Sequence, residues 1–127
     1  MPSTSKVRLL YAEDGLDTRD LICIGLEIEG FEVICPDSSQ AFLTLAKKEQ
    51  WDVYMLDTWM PQVSGIDLCK KLREFDSATT IIFYSAAAFE HEQKQAFECG
   101  AQAYAPNPLT STVLRLPFLP RNFVRMV

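Results

Sequence analysis

Three acids stand where short apolar runs end. Glu13 and Asp14 follow the run Val7-Arg-Leu-Leu-Tyr-Ala12, and Asp57 closes the run Val53 to Leu56. Ser85 ends Thr79-Thr-Ile-Ile-Phe-Tyr84 in the same way, and Asn107 stands just beyond Gln102 to Ala105. If these runs are parallel strands, their carboxyl ends meet at one edge, where open α/β sheets bind ligands. Carboxylates gathered there repel one another unless a cation compensates. A hard divalent cation such as Mg2+ takes one or two carboxylates together with waters and phosphate oxygens. It could neutralise the charge that develops on a phosphoryl group attacked by Asp57. Ser85 and the backbone N–H groups after Asp57 could donate hydrogen bonds to the phosphoryl oxygens.

The rest of the chain supplies elements to position these groups. Each apolar run is too short for a helix and reads as a strand: Val7–Ala12, Phe31–Ile34, Val53–Leu56, Thr79–Tyr84 and Gln102–Ala105. Helical stretches lie between them. From Leu16 to Glu29, apolar residues recur at Leu21, Ile24, Gly25 and Ile28, the spacing of one helix face, and Gly30 is a stop. Asp37 with Gln40 resembles a capping box for a helix over 38–50 that buries Ala41, Phe42, Leu45 and Ala46. Ser64 with Asp67 starts the next, with Ile66, Leu68, Cys69, Leu72 and Phe75 on its apolar side. Residues 89–98 form a more polar helix, with Phe89, Ala96 and Phe97 inward and Gly100 as stop. Near-continuous apolar strands alternating with amphipathic helices imply a parallel sheet covered on both faces, and the short loops favour one doubly wound three-layer domain.

The last segment fits this scheme least. Asn107-Pro108 reads as an N-cap with proline at the first helical position. Pro117 would cost a helix interior about 3 kcal/mol, and Pro120 repeats the break, so the fifth helix is expected to be irregular or shortened. Residues 109–127 form an atypical C-terminal segment, and Leu116–Val127 is apolar and basic.

Composition narrows the function classes. The chain has 127 residues and a net charge of −5. Residues 101–127 carry Arg115, Arg121 and Arg125 and no acid, which leaves residues 1–100 at a net −8. An acidic body argues against general binding of nucleic acid or anionic membrane and suits a cation site. Cys23, Cys35, Cys69 and Cys99 form no C-x-x-C pair and His91 is the one histidine, so a zinc site is not expected. The cysteines read as reduced core residues, the N-terminus lacks the apolar segment of a signal peptide, and no stretch approaches a membrane span. Together these features lead to the expectation of a cytoplasmic protein. No G-x-x-x-x-G-K-[ST] loop is present for a nucleotide.

Five motifs then converge. Glu13-Asp14 after the first strand, Leu-Asp57-x-x-Met-Pro61 with Gly65, Ser85 closing the fourth strand, and Gly100-Ala-x-x-Tyr104 together resemble the receiver domain of two-component response regulators over about residues 6–108. The resemblance implies a single receiver domain, 1–127, with a flavodoxin-like five-stranded sheet in the order 2-1-3-4-5. It implies that Asp57 takes a phosphoryl group from a phosphohistidine on a sensor histidine kinase or a phosphotransfer protein. Asp14 and Asp57 would ligate Mg2+ directly, Glu13 through water, and the Trp59 carbonyl would be a further ligand. Ser85 would be the switch hydroxyl and Tyr104 the switch aromatic, and the switched surface would serve an output domain or a homodimer. Such a domain assists its own phosphotransfer and dephosphorylation without being an enzyme on another substrate. One departure stands out: the family has a lysine where this chain has Asn107. The competing expectation is therefore a degenerate receiver that binds partners without phosphorylation. A haloacid-dehalogenase-type phosphatase also uses an aspartyl nucleophile after a strand, but it wants a second acid where this chain has Trp59.

Overall fold

The computed structural model describes residues 7–58, 60, 63–84 and 90–105. Its elements are β1 (Arg8–Ala12), α1 (Leu16–Ile28), β2 (Glu32–Ile34), α2 (Ser39–Lys48), β3 (Val53–Asp57), α3 (Gly65–Phe75), β4 (Thr80–Tyr84), α4 (Glu90–Glu98) and β5 (Ala103–Ala105). The strands form one parallel sheet in the order β2-β1-β3-β4-β5. This is the flavodoxin-like α/β architecture expected from the sequence. The expected irregular fifth helix falls outside the described residues.

Strand alternation builds two cores from one sheet. Leu9, Tyr11, Val53, Met55 and Ile82 share a cluster with Leu26 of α1, Phe31 and Val33. Their neighbours Leu10, Ala12, Tyr54, Leu56, Ile81 and Phe83 share the other with Phe42 and Ala46 of α2, Leu68, Cys69 and Leu72 of α3, and Ala96 of α4. Successive residues point to opposite faces, and both faces are covered, so the strands read as continuous apolar runs. Truncating one such side chain, for example Leu56→Ala, costs about 2–5 kcal/mol.

Local chemistry fixes the helix ends. Ser64 caps α3 by accepting the Asp67 N–H at 3.1 Å, as expected. The α2 cap is Ser38 and not Asp37: the Ser38 hydroxyl accepts the Ala41 N–H at 3.0 Å. Ser38 directly precedes the first helical residue and reaches the third N–H of the helix, whereas Asp37 stands one step too far out. Gly30 and Gly100 follow α1 and α4 with φ of 102° and 111°, the left-handed conformation that glycine tolerates at a helix end.

Three inward assignments are corrected. On α1, Leu21, Ile24 and Ile28 are 73%, 55% and 78% exposed. The helix faces the sheet instead with Leu26, which is wholly buried, and with the half-buried Ile22 and Cys23. α1 carries two apolar stripes offset by about 100°, and only one can meet the sheet. Phe75, at the end of α3, is 40% exposed, with the Lys47 ammonium 5.3 Å from its ring centroid. Phe97 is 49% exposed, because Ala96 and Glu92 take the inward face of α4. The cysteines are free, but only Cys69 is fully buried; Cys23, Cys35 and Cys99 are half-buried. Phe89 lies outside the described residues.

Candidate functional site

β1 and β3 are neighbours, and their register pairs Ala12 with Leu56. The next residue on each strand, Glu13 and Asp57, therefore emerges side by side, with Asp14 adjacent. One carboxylate oxygen from each of Glu13, Asp14 and Asp57 lies within 4.8 Å of the others. Glu13 and Asp57 are half-buried and Asp14 is exposed. All three donors are hard oxygens, close enough together that one divalent cation could draw on them. A cleft of about 50 Å³, lined in part by Glu13, Asp14, Asp37, Ser38 and Met60, opens beside them. The structure thus brings the three acids together.

Neighbours hold each acid in place. Glu13 Oε1 accepts the Tyr11 hydroxyl at 3.3 Å, and Oε2 accepts the Gly15 N–H at 2.9 Å. Burial first, then the negative charge of Glu13, pushes the Tyr11 phenol above its ordinary range, so it stays a neutral donor. Behind Asp57, the Gly65 N–H at the start of α3 donates to the Thr58 carbonyl at 3.1 Å. A Cβ on Gly65 would collide with the Asp57 carbonyl oxygen and lie 2.9 Å from Phe83 Cε2. The helix can rest on the backbone of the acid only because residue 65 has no side chain.

Tyr104 is half-buried, and its ring stacks on Phe83 at 6.2 Å between centroids and 10° between planes. Its hydroxyl is 3.2 Å from Thr58 Oγ1, and Thr58 is buried. The expected switch aromatic is therefore joined to the residue after the expected phosphoacceptor. Ser85, Asn107 and Trp59 lie outside the described residues; the strands that lead to the first two, β4 and β5, end at the same sheet edge as β1 and β3.

Sequence reasoning missed Tyr11, Thr58 and the tightness of the Gly65 contact. Tyr11 had a usable signal: it stands two residues before Glu13, hence on the same side of an extended chain. Thr58 had none, because its partner is 46 residues away.

The family model of the response regulator receiver domain matches residues 9–116. The chain belongs to this family. A probable transcriptional regulatory protein of Picosynechococcus is 33% identical over 84% of this chain and 45% of its own length. The chain spans about half the length of the first curated relatives it matches. Among solved structures, the chemotaxis protein CheY4 of Vibrio cholerae superposes with a TM-score of 0.81 at 23% identity, covering 88% of this chain and 99% of that one. TrrA of Thermotoga maritima, solved in complex with Mg2+–BeF, gives a TM-score of 0.71 at 23% identity over 80% of this chain and 86% of its own. TrrA has also been solved with the histidine kinase ThkA. At these identities the structural likeness establishes the receiver fold.

Proposed function

We propose that this receiver domain accepts a phosphoryl group on Asp57 from a phosphohistidine donor, assisted by Mg2+. The convergence of Glu13, Asp14 and Asp57 at the ends of β1 and β3 carries the reading. A carboxylate oxygen of Asp57 forms the bond to phosphorus, the phosphorus–nitrogen bond breaks, and the donor imidazole keeps the electron pair and is reprotonated. Asp14 and Asp57 would hold the cation directly with the Trp59 carbonyl. Glu13 already accepts two hydrogen bonds and suits an indirect place through water. When bound, the cation supplies positive charge against the phosphoryl oxygens. Ser85 and Tyr104 are the candidate switch pair, with Tyr104 poised through Thr58 beside the phosphorylated residue.

Asn107 favours a second reading, a receiver that binds its partner without phosphate. Losing one preorganised donor to a charged transition state slows such a step by about 10²–10³. One experiment separates the two. The chain is incubated with a small phosphodonor and Mg2+, and its intact mass is followed. Gain of one phosphoryl group that disappears in Asp57→Asn supports the first reading. No gain, or a gain that survives the substitution, rejects it. A sharp rise in Asn107→Lys would mark the site as complete but slow.

The partner reading rests on α1. Its exposed stripe of Leu21, Ile24 and Ile28 is flanked by the exposed Asp17, Asp20 and Glu27. Such a stripe suits the apolar edge of a helical partner such as a cytoplasmic histidine kinase or phosphotransfer protein. Of the two, the kinase has the better support, since TrrA has been solved with one. An output domain or a second copy of the chain would then read the surface around Tyr104.

A further inference from the structure

Away from the acids, two thiols meet where α3 passes the end of α4. Cys69 is fully buried, and its Sγ–H donates to the Cys99 carbonyl at 3.4 Å. Cys99 is half-buried, and its Sγ–H donates to the Ala96 carbonyl at 3.1 Å. Cys99 also lines a cleft of about 200 Å³ between the two helices, beside Lys70 and Glu98. One thiol thus opens on solvent next to an ammonium group, while the other is sealed in the core directly behind it.

We propose that Cys99 is a site of reversible oxidation by hydroperoxides and that Cys69 resolves it, giving an intrachain disulfide between α3 and the end of α4. The Cys99 thiolate attacks the peroxide oxygen: a sulfur–oxygen bond forms, the oxygen–oxygen bond breaks, and the leaving oxygen departs protonated. Cys69 sulfur then attacks the sulfenic sulfur, a sulfur–sulfur bond forms, and the hydroxyl leaves as water with the Cys69 proton. The two thiols are oxidised by two electrons in total and the peroxide is reduced by two.

Electrostatics agree with this order of events. The neighbouring Cys69 thiol, opposed by burial and aided by Lys70 and Arg73, holds the Cys99 thiol below its ordinary range. The same pairing, with burial, pushes Cys69 up. Reactive thiols are commonly depressed, accessible and backed by a resolving cysteine. The link would also fasten a corner that already bears on β5. Arg73 donates to the Gly100 carbonyl from Nε at 3.2 Å and from Nη2 at 2.8 Å, and its Nη2 reaches Gln102 Oε1 at 3.1 Å. β5 carries Tyr104, so the disulfide would add an input to the domain that needs no phosphoryl transfer.

The test uses the full reduced chain. It is exposed to hydrogen peroxide near equimolar, alkylated and mapped by mass spectrometry without reduction. The expected product is a Cys69–Cys99 linked peptide, lighter by two hydrogens and restored by dithiothreitol. Cys99→Ser should abolish the link. Cys69→Ala should leave a sulfenic acid on Cys99 that dimedone traps; since Cys69 is buried, the Cys99→Ser arm decides if that variant fails to fold. A Cys23–Cys35 or intermolecular link in its place, a Cys69–Cys99 link formed only in urea, or no reaction would overturn the proposal.

Discussion

Gly65→Ala tests whether the first turn of α3 sets the position of Asp57. The substitution adds one methyl group, which would overlap the Asp57 carbonyl oxygen and stand 2.9 Å from Phe83 Cε2. Ordinary contact requires roughly 3.5–4.0 Å, so either the helix or the end of β3 must give way. Gly65 is not among the described residues with positive φ, so alanine meets no backbone strain and the effect is steric. Overpacking of this kind costs about 1–3 kcal/mol. Removing glycine from a helix returns at most about 1 kcal/mol, and less in a first turn. The expected net loss is about 1–2 kcal/mol, read as a lower urea midpoint with unchanged slope. A second readout distinguishes the site from the fold at large. A displaced carboxylate should weaken Mg2+ binding by about 10- to 100-fold, the range typical of losing a group that orients a metal ligand. A variant with wild-type stability and an unchanged Mg2+ titration would refute the claim that α3 rests on the backbone of the acid.

Three further outcomes are expected. Thr58→Val should destabilise by about 1 kcal/mol, by leaving the Tyr104 hydroxyl without its Thr58 partner; Tyr104→Phe should cost a similar amount and the double variant no more than either, whereas additive losses would show that the two hydroxyls are not coupled. Asp76 accepts from the Thr79 hydroxyl at 2.6 Å, from the Thr79 and Ala78 N–H groups and from the Tyr54 hydroxyl at 2.9 Å; against the opposing effect of burial these hold its carboxyl down to about 2, from an ordinary 3.8. The folded chain thus binds this proton less readily than the unfolded one, so the stabilisation is complete above about pH 4 and is lost as pH falls toward 2; solvent limits it to about 1 kcal/mol, and Asp76→Asn should flatten that part of an acid titration of stability. Leu21→Asp on the exposed face of α1 should leave the urea midpoint and small-donor phosphorylation unchanged while slowing transfer from a histidine kinase; equal transfer rates would remove α1 from the docking surface.

The strands and the acid cluster were legible because both are written locally. A run such as Tyr54-Met-Leu56 is apolar at every position only if both faces are covered, which implies a parallel sheet whose carboxyl ends share one edge, while the strand order came from the resemblance to the receiver family. The face of α1 was not legible. Leu21, Ile24 and Ile28 are as periodic as Ile22 and Leu26, and the choice between the stripes is made by the sheet, through Phe31, Val33 and the turn at Gly30. Glu92 shows the same limit from the other side. Nothing in the polar sequence of α4 marks it as buried, yet it is 3% exposed, and among the described residues its carboxylate oxygens find no hydrogen-bond partner.

What ties the site to the rest of the domain is likewise non-local. Gly65 at the start of α3 packs against the Asp57 carbonyl, and the neighbouring Thr58 is bonded to Tyr104 on β5, which leans on Phe83 of β4. Gly65 leaves no room for a side chain between α3 and the Asp57 carbonyl. Thr58 in turn links this corner to Tyr104 of β5. Arg73 holds the other end of that corner to Gly100, and the Cys69–Cys99 pair lies beside it. The proposed phosphorylation and thiol oxidation would then both bear on β5. If so, the disulfide should change the Tyr104 response to phosphorylation without changing the Mg2+ affinity of the acids, since no described contact links Cys99 to Glu13 or Asp14.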